Sequence, residues 1–376
     1  MNEQRPARAT AAHIDLAALA NNLGVVRAAL DRAGNRSAII ATVKADAYGH
    51  GAVRSAQTLV EAGADALGVA LVDEGAELRT HGISGRIIQY GGAFSMRHDL
   101  VVQNRLEPFV FRREDLEALD TAARTAGTQV DVHVKVDTGM GRIGLLPEDV
   151  SAFFDALAGF SALRMVGLCS HFANADLKDG AMTQAQEDRL AAVAALARSR
   201  GFNPTVHLAN SAAILLRPTA HLDAVRPGIM LYGVVPARHL AQHGADLRPV
   251  LSWTTEIIHV KQVGTGTPIS YGSRWIAERP SVIATLPVGY ADGYARNLFG
   301  HARVLVRGQR APVVGTICMD MCMIDVTDIS AAAVGDEVVL LGAQGSERID
   351  AEQLAEWSGT ISYEVLCRIG KRVPRR

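Results

Sequence analysis

Ser37-Ala-Ile-Ile-Ala-Thr-Val-Lys44 is an apolar, β-branched run that ends abruptly on an amine. Its first seven residues read as a strand covered on both faces, since a short continuous apolar run with β-branched enrichment suits a buried parallel strand. Working outward, the same texture recurs at Ala66–Ala70, Ile87–Tyr90, Glu107–Phe111, Val130–Val136, Met165–Ser170, Thr205–Leu208 and Ala224–Arg226. Ala/Leu-rich stretches with helical spacing, such as Arg113–Ala126 and Gln184–Arg200, lie between these runs. Strands alternating with helices eight times over predict an α/β fold with an N-terminal (β/α)8 barrel of the TIM type.

After Arg248 the texture changes to longer β-rich runs, Val250–Val263, Ser281–Val288, Ala302–Val306 and Glu337–Leu341, with glycines between them. A second, mostly β domain is expected there. A chain of 376 residues exceeds what one hydrophobic core usually supports. The boundary falls within Pro236–Arg248, which divides the chain into residues 1–245 and 246–376.

Composition excludes some function classes. A formal net charge of -1 gives no bulk attraction to polyanions, so neither nucleic acid nor a membrane surface is an expected partner. Met1–Asp15 carries scattered charges and no signal-peptide apolar run, and no later stretch reaches the ~18 apolar residues of a membrane span, which predicts a cytoplasmic protein. Cys169, Cys318, Cys322 and Cys367 lack paired C-x-x-C spacing, so reduced thiols are expected, with neither a disulfide framework nor a bound metal.

Active sites of such barrels sit at the C-terminal strand ends, so the polar residues that follow each apolar run are the candidates. Lys44 follows the first, Lys135 ends the fifth with Asp137 and Arg142 beyond it, and His171 follows the sixth. Asn210 and Ser211 follow the seventh, and Arg226 ends the eighth. Four cationic side chains around one mouth favour an anionic ligand. The loops after the seventh and eighth strands often bind phosphate, and here they contain Ser211 and Arg226-Pro-Gly-Ile229. Read singly, Lys44 is a lysine escaping into water at a strand end, Gly228 a turn, and His171 and Asn210 hydrogen-bonded strand-end residues; the set points to a site.

Longer motifs carry a resemblance. Val43-Lys-Ala-Asp-Ala-Tyr-Gly-His-Gly51, Lys135-Val-Asp-Thr-Gly-Met-Gly-Arg-Ile-Gly144, His171-Phe-Ala, Asn210-Ser211 and Arg226-Pro-Gly-Ile229 occur in that order. Ser270-Tyr-Gly272, Gly289-Tyr-Ala-Asp-Gly293, Cys318-Met-Asp320 and Ile361-Ser-Tyr-Glu-Val365 follow. With these, the chain resembles the alanine racemase family over essentially its whole length.

The resemblance implies pyridoxal 5'-phosphate as cofactor, held covalently by Lys44, with Tyr48, Ser211, Gly228, Ile229 and Tyr363 around its phosphate and Asn210 among its neighbours. Arg226 would face the pyridine nitrogen and link to His171, and His171 would neighbour Tyr271. A guanidinium cannot take a proton from that nitrogen, which leaves a weak electron sink and favours racemisation over transamination. Lys44 and Tyr271 would be the two bases, one on each face of the α-carbon. Arg142 would orient the ring oxygen, backbone near Met319 would contact the substrate carboxylate, and Tyr271, Tyr290 and Tyr363 would crowd any side chain beyond Cβ.

The family also implies a head-to-tail homodimer in which the second domain completes the partner's site, and D-alanine supply for peptidoglycan. Lys135 matches a position where family members carry a carbamylated lysine, the alternative being an ordinary lysine balanced by Asp137. Three other functions remain open. A racemase that also accepts serine differs by one hydroxyl in the substrate. A decarboxylase of the same architecture would need an acid at the pyridine and a cysteine donor, for which only Cys318 qualifies. A carrier of the cofactor would need little beyond the barrel and Lys44.

Overall fold

The computed structural model describes residues 8–92, 97–177 and 180–376. It divides into two compact units, one of Leu16–Ala47 and Gly51–Arg248, the other of the segment ending at Asp15, Tyr48–His50 and Pro249–Arg376. The first strand, β1 (Ala11–Ile14), pairs antiparallel with β10 (Leu251–Glu256), with Ala11 opposite Thr254. The start of the chain is thereby grouped with the C-terminal unit, a connection that a linear cut between residues 245 and 246 does not contain.

The larger unit is a closed barrel of β2 (Ala38–Thr42), β3 (Ala66–Val69), β4 (Ile87–Gln89), β5 (Glu107–Val110), β6 (Val130–Lys135), β7 (Leu163–Cys169), β8 (Thr205–His207) and β9 (Ala224–Val225). All neighbours run parallel, and β9 closes the ring by pairing with β2, Ala224 opposite Ala38. Each of the eight strands ends one residue before the end expected from the apolar run. The extra residue is apolar or aromatic at six of the eight ends, Ser170 and Arg226 being the exceptions, and there the chain passes from the strand into a loop.

Ile40, Ala66, Ile88, Phe109, Cys169 and Ala224 form a packed cluster contributed by six of these strands. Two glycines make room for rings from neighbouring strands. A Cβ on Gly68 would stand 1.9 Å from the Tyr90 hydroxyl, and one on Gly167 would stand 1.8 Å from Nδ1 of His133. The helix expected from Gln184 begins three residues earlier, spanning Ala181–Ser199.

In the second unit, the expected continuous run Val250–Val263 divides into β10 and β11 (His259–Val263) because the chain changes neighbours. β10 pairs with β18 (Glu337–Gln344), while β11 pairs with β14 (Ser281–Leu286). Between β11 and β14 lies a small hairpin of β12 (Pro268–Ile269) and β13 (Trp275–Ile276). The main antiparallel sheet runs β1, β10, β18, β15 (Arg303–Val306), β16 (Gln309–Val314), β17 (Cys322–Asp325), β14, β11, with β19 (Glu347–Ile349) paired to β18. Two short helices, Ala351–Ser358 and Ser362–Arg368, follow it; the Asp350 carboxylate caps the first by accepting from the Gln353 amide at 2.7 Å.

Candidate active site

Directly after β2 the chain makes a left-handed helical turn. Ala45, Asp46, Ala47 and Tyr48 all have φ near +53°, a region that costs non-glycine residues roughly 1–2 kcal/mol each. Polar clamps within the barrel unit hold it. Glu74 Oε1 accepts from the Ala45 amide at 2.6 Å while its other oxygen accepts from Ala70 and Leu71, and Asp46 Oδ1 accepts from the Ala52 amide at 2.7 Å. The turn begins at Lys44, so an expensive, specified backbone delivers the amine.

Arg226 follows β9 and is nearly buried. Its Nη1 donates to the His207 carbonyl at 2.9 Å and to His207 Nδ1, and Nη2 donates to the carbonyls of Ser170 (2.5 Å) and Leu208 (3.2 Å). His171 Nδ1 lies 3.4 Å from the same Nη2. Among the described residues no hydrogen bond is formed by Nε, which leaves a permanently protonated donor for a ligand. Burial, reinforced by Arg226, Arg142, Lys135 and Lys44, pushes the His171 imidazole well below its ordinary pKa, so it is neutral. Four cations act on one ring, an arrangement that favours an anionic ligand.

Lys135, the last residue of β6, is 2% exposed and donates from Nζ to the Val136 carbonyl at 2.8 Å. Burial, reinforced by Arg226 and Arg142, brings its amine down to about 8. Asp137 Oδ1 accepts from the amides of Gly139, Met140 and Gly141, so this oxygen shapes the loop that carries Arg142. The loop closes where the Leu145 amide donates to the Lys135 carbonyl at 2.9 Å.

Opposite ends of the phosphate-type loops meet at one hydroxyl. Asn210 caps the helix Ser211–Leu216, accepting from Ala213 at 3.1 Å, and Ser211 Oγ accepts from the amides of Gly228 at 2.9 Å and Met230 at 3.4 Å. Ile229 opens the short 3-10 turn that follows. Ser211, Gly228 and Ile229 therefore form one cradle of backbone and hydroxyl groups, with the chemistry to hold a phosphate.

The second unit groups the remaining candidates. The rings of Tyr48 and Tyr363 lie 6.1 Å apart between centroids. Tyr290 and Ala291 donate their amides to the carbonyls of Cys318 and Met319, which ties the Tyr290 loop to the Met319 segment. The Tyr271 carbonyl accepts from Thr316 Oγ1 at 2.9 Å, and the Tyr271 side chain is 72% exposed. Cys318 Sγ lies 3.5 Å from the Ser270 hydroxyl.

Several structured polar residues did not stand out in the sequence: Glu74, Arg86, Glu107, His133 and His207. A signal existed for His133 and Lys135, which alternate with valines along β6 and so share one face of a buried strand.

Comparison with known proteins agrees with this geometry. Residues 14–236 match the alanine racemase N-terminal domain and residues 250–376 the alanine racemase C-terminal domain. The chain is 46% identical to an alanine racemase of Halothermothrix orenii over 373 residues, covering 99% of this chain and 97% of the relative. Among solved structures, the alanine racemase of a D-cycloserine-producing Streptomyces lavendulae superposes with a TM-score of 0.92 at 38% identity, covering 99% and 97% of the two chains. That of Bacillus anthracis with bound L-Ala-P gives 0.92 at 35% identity, covering 99% and 95%.

Proposed function

Because the chain belongs to the alanine racemase family, we propose that it interconverts L- and D-alanine with pyridoxal 5'-phosphate, using Lys44 and Tyr271 as opposed bases. The observation that carries the reading is Arg226, whose Nη nitrogens are tied to barrel carbonyls and His207 while Nε is left as a donor that can never be an acceptor. The Ser211, Gly228 and Ile229 cradle would hold the phosphate, with Asn210 shaping it and Tyr48 and Tyr363 beside it. When bound, the cofactor supplies an electron sink that makes the alanine α-proton removable.

Lys44 Nζ takes or returns that proton on one face of Cα, and Tyr271 Oη does so on the other. Arg226 cannot accept a proton from the pyridine nitrogen, which favours return of the proton to Cα over transamination. Neutral His171 accepts from Arg226 through Nδ1, which fixes the direction of the bond. Arg142 orients the cofactor ring oxygen, and Lys135, as a carbamate, would accept a hydrogen bond from its guanidinium. Backbone near Met319 binds the substrate carboxylate, and Tyr271, Tyr290 and Tyr363 confine the side chain, favouring alanine over serine. Arg226 in place of an acid argues against the decarboxylase.

The same reading assigns residues 1–245 to cofactor binding and 246–376 to completing the site of a partner in a head-to-tail homodimer. Support comes from exposed Tyr271, Tyr290 and Met319 on the second unit. A cytoplasmic place, with D-alanine destined for peptidoglycan, fits four cysteines that are not joined by disulfides. Among the described residues no helix is long and apolar enough to cross a membrane.

The purified protein, assayed with both enantiomers of alanine and of serine, should racemise alanine faster. Borohydride reduction and peptide mapping should place the pyridoxyl group on Lys44. Label on another lysine, or no turnover with the label in place, would overturn the assignment, the second result favouring a cofactor carrier.

A further inference from the structure

The interior of an eight-stranded barrel is ordinarily filled by layers of branched apolar side chains. Here a polar path crosses it. His207 Nδ1 meets Arg226 Nη1, His207 Nε2 lies 2.9 Å from His133 Nδ1, and His133 Nε2 lies 3.0 Å from Glu107 Oε2. Glu107 opens β5 at the N-terminal end of the barrel, where Arg86 donates to both its oxygens, from Nε at 2.8 Å and Nη2 at 2.7 Å. Phe109 packs against both imidazoles, 6.0 Å from each ring centroid.

These partners admit one assignment of protons. Arg226 only donates, so His207 Nδ1 must be bare and its proton must sit on Nε2. That N–H donates to His133 Nδ1, which must be bare in turn, so His133 donates from Nε2 to Glu107, a carboxylate that accepts from all its partners. Burial drives both imidazoles to their neutral forms, Arg226 adding to the effect at His207 and Glu107 partly opposing it at His133. Burial also acts to raise the Glu107 carboxyl, but the bonds from Arg86 and His133 outweigh it and hold it down to about 2.

We infer that Glu107, acting through His133 and His207, sets the proton positions that hold Arg226 in place, which makes all three positioning residues for racemisation. The inference rests on the role of Arg226 proposed above. Arg86 is half exposed, but Glu107, His133 and His207 are buried, and replacing such buried polar groups by well-packed apolar residues of similar volume is often neutral or stabilising, so stability alone gives little reason to keep them. Gly167 is part of the device, since any side chain there would strike His133. Oε2 of Glu107 accepts from both His133 and Arg86 Nη2, so in Glu107→Gln the amide oxygen can stay there and keep the proton order, its nitrogen meeting only Arg86 Nε. In Glu107→Leu no acceptor remains, His133 Nε2–H is left buried and unpaired, and the reversed order, with His207 Nδ1–H pointing at the Arg226 donors, becomes competitive.

Nitrogen-15 NMR of histidine-labelled protein tests the inference without reference to turnover, with resonances assigned by single histidine replacements. In the wild type, His133 and His207 should both be protonated at Nε2 with bare Nδ1. Glu107→Leu should populate His207 protonated at Nδ1 and lower kcat roughly tenfold or more with KM for alanine little changed, whereas Glu107→Gln should keep both tautomers. Arg86→Met keeps the carboxylate and should preserve both tautomers, separating the proton order from general damage to the barrel. A protonated His207 Nδ1 in the wild type, or unchanged tautomers in Glu107→Leu, would overturn the inference. An unchanged kcat with reversed tautomers would overturn the positioning role. A wild type with these tautomers and no racemase activity would instead remove the proposed function.

Discussion

Lys135 carries two properties that are rare together, nearly complete burial and an amine close to neutrality near pH 8. Lysines are almost never buried unless paired, and the nearby Asp137 commits one oxygen to three backbone amides. Carbon dioxide reacts only with the neutral amine. An amine at about 8 is half neutral at pH 8, whereas one at the ordinary value near 10.4 is neutral in roughly 0.4% of molecules. Lowering pH protonates the amine and removes the reactive form. NMR with labelled bicarbonate should therefore show a lysine carbamate that Lys135→Ala abolishes and that declines steeply below pH 8 at constant dissolved carbon dioxide. A free amine at saturating bicarbonate would leave Lys135 as an ordinary buried lysine.

At the scale of elements, the left-handed turn after β2 concentrates unfavourable backbone, and its cost falls on glycines as well. Gly49 has φ +83°, and a Cβ there would stand 2.3 Å from the Leu366 carbonyl oxygen. Gly49→Ala combines a left-handed penalty with a backbone collision and should destabilise the protein by at least about 2 kcal/mol. Gly24 provides the opposite case, exposed in the interior of the helix Leu16–Arg32 with nothing within 4 Å of a Cβ. Gly24→Ala should stabilise by up to about 1 kcal/mol. Urea midpoints of the two variants should move in opposite directions; equal shifts would mean that the turn is not held as described.

At the scale of the whole molecule, the prediction concerns which copy supplies Tyr271. Lys44→Ala and Tyr271→Phe should each abolish most racemisation, since each removes one base. In a mixed dimer with shared sites, one site combines intact Lys44 from one variant with intact Tyr271 from the other. Random reassortment at equal concentrations makes half the dimers mixed, so activity should recover to about a quarter of wild type. With subunit exchange verified by a tag, no recovery would show that Tyr271 serves its own chain.

The barrel was legible in the sequence because eight buried parallel strands leave an almost uninterrupted apolar signature, and their ends marked Lys44, Lys135, His171, Asn210, Ser211 and Arg226. The roles of Tyr48, Tyr271, Tyr290, Met319 and Tyr363 came through resemblance, since a single residue in a turn or short helix has no periodicity to betray it. The linkage of β1 to β10 depends on partners about 240 residues apart, which local pattern does not specify. The left-handed turn was equally hidden, because Ala45 and Ala47 are good helix formers whose φ is imposed by Glu74 and Asp46. The polar path from Arg86 to Arg226 required tertiary structure most of all. Each of its members sits on or beside a different strand, and only closure of the barrel turns isolated charges and imidazoles into hydrogen-bond partners with one permitted proton order.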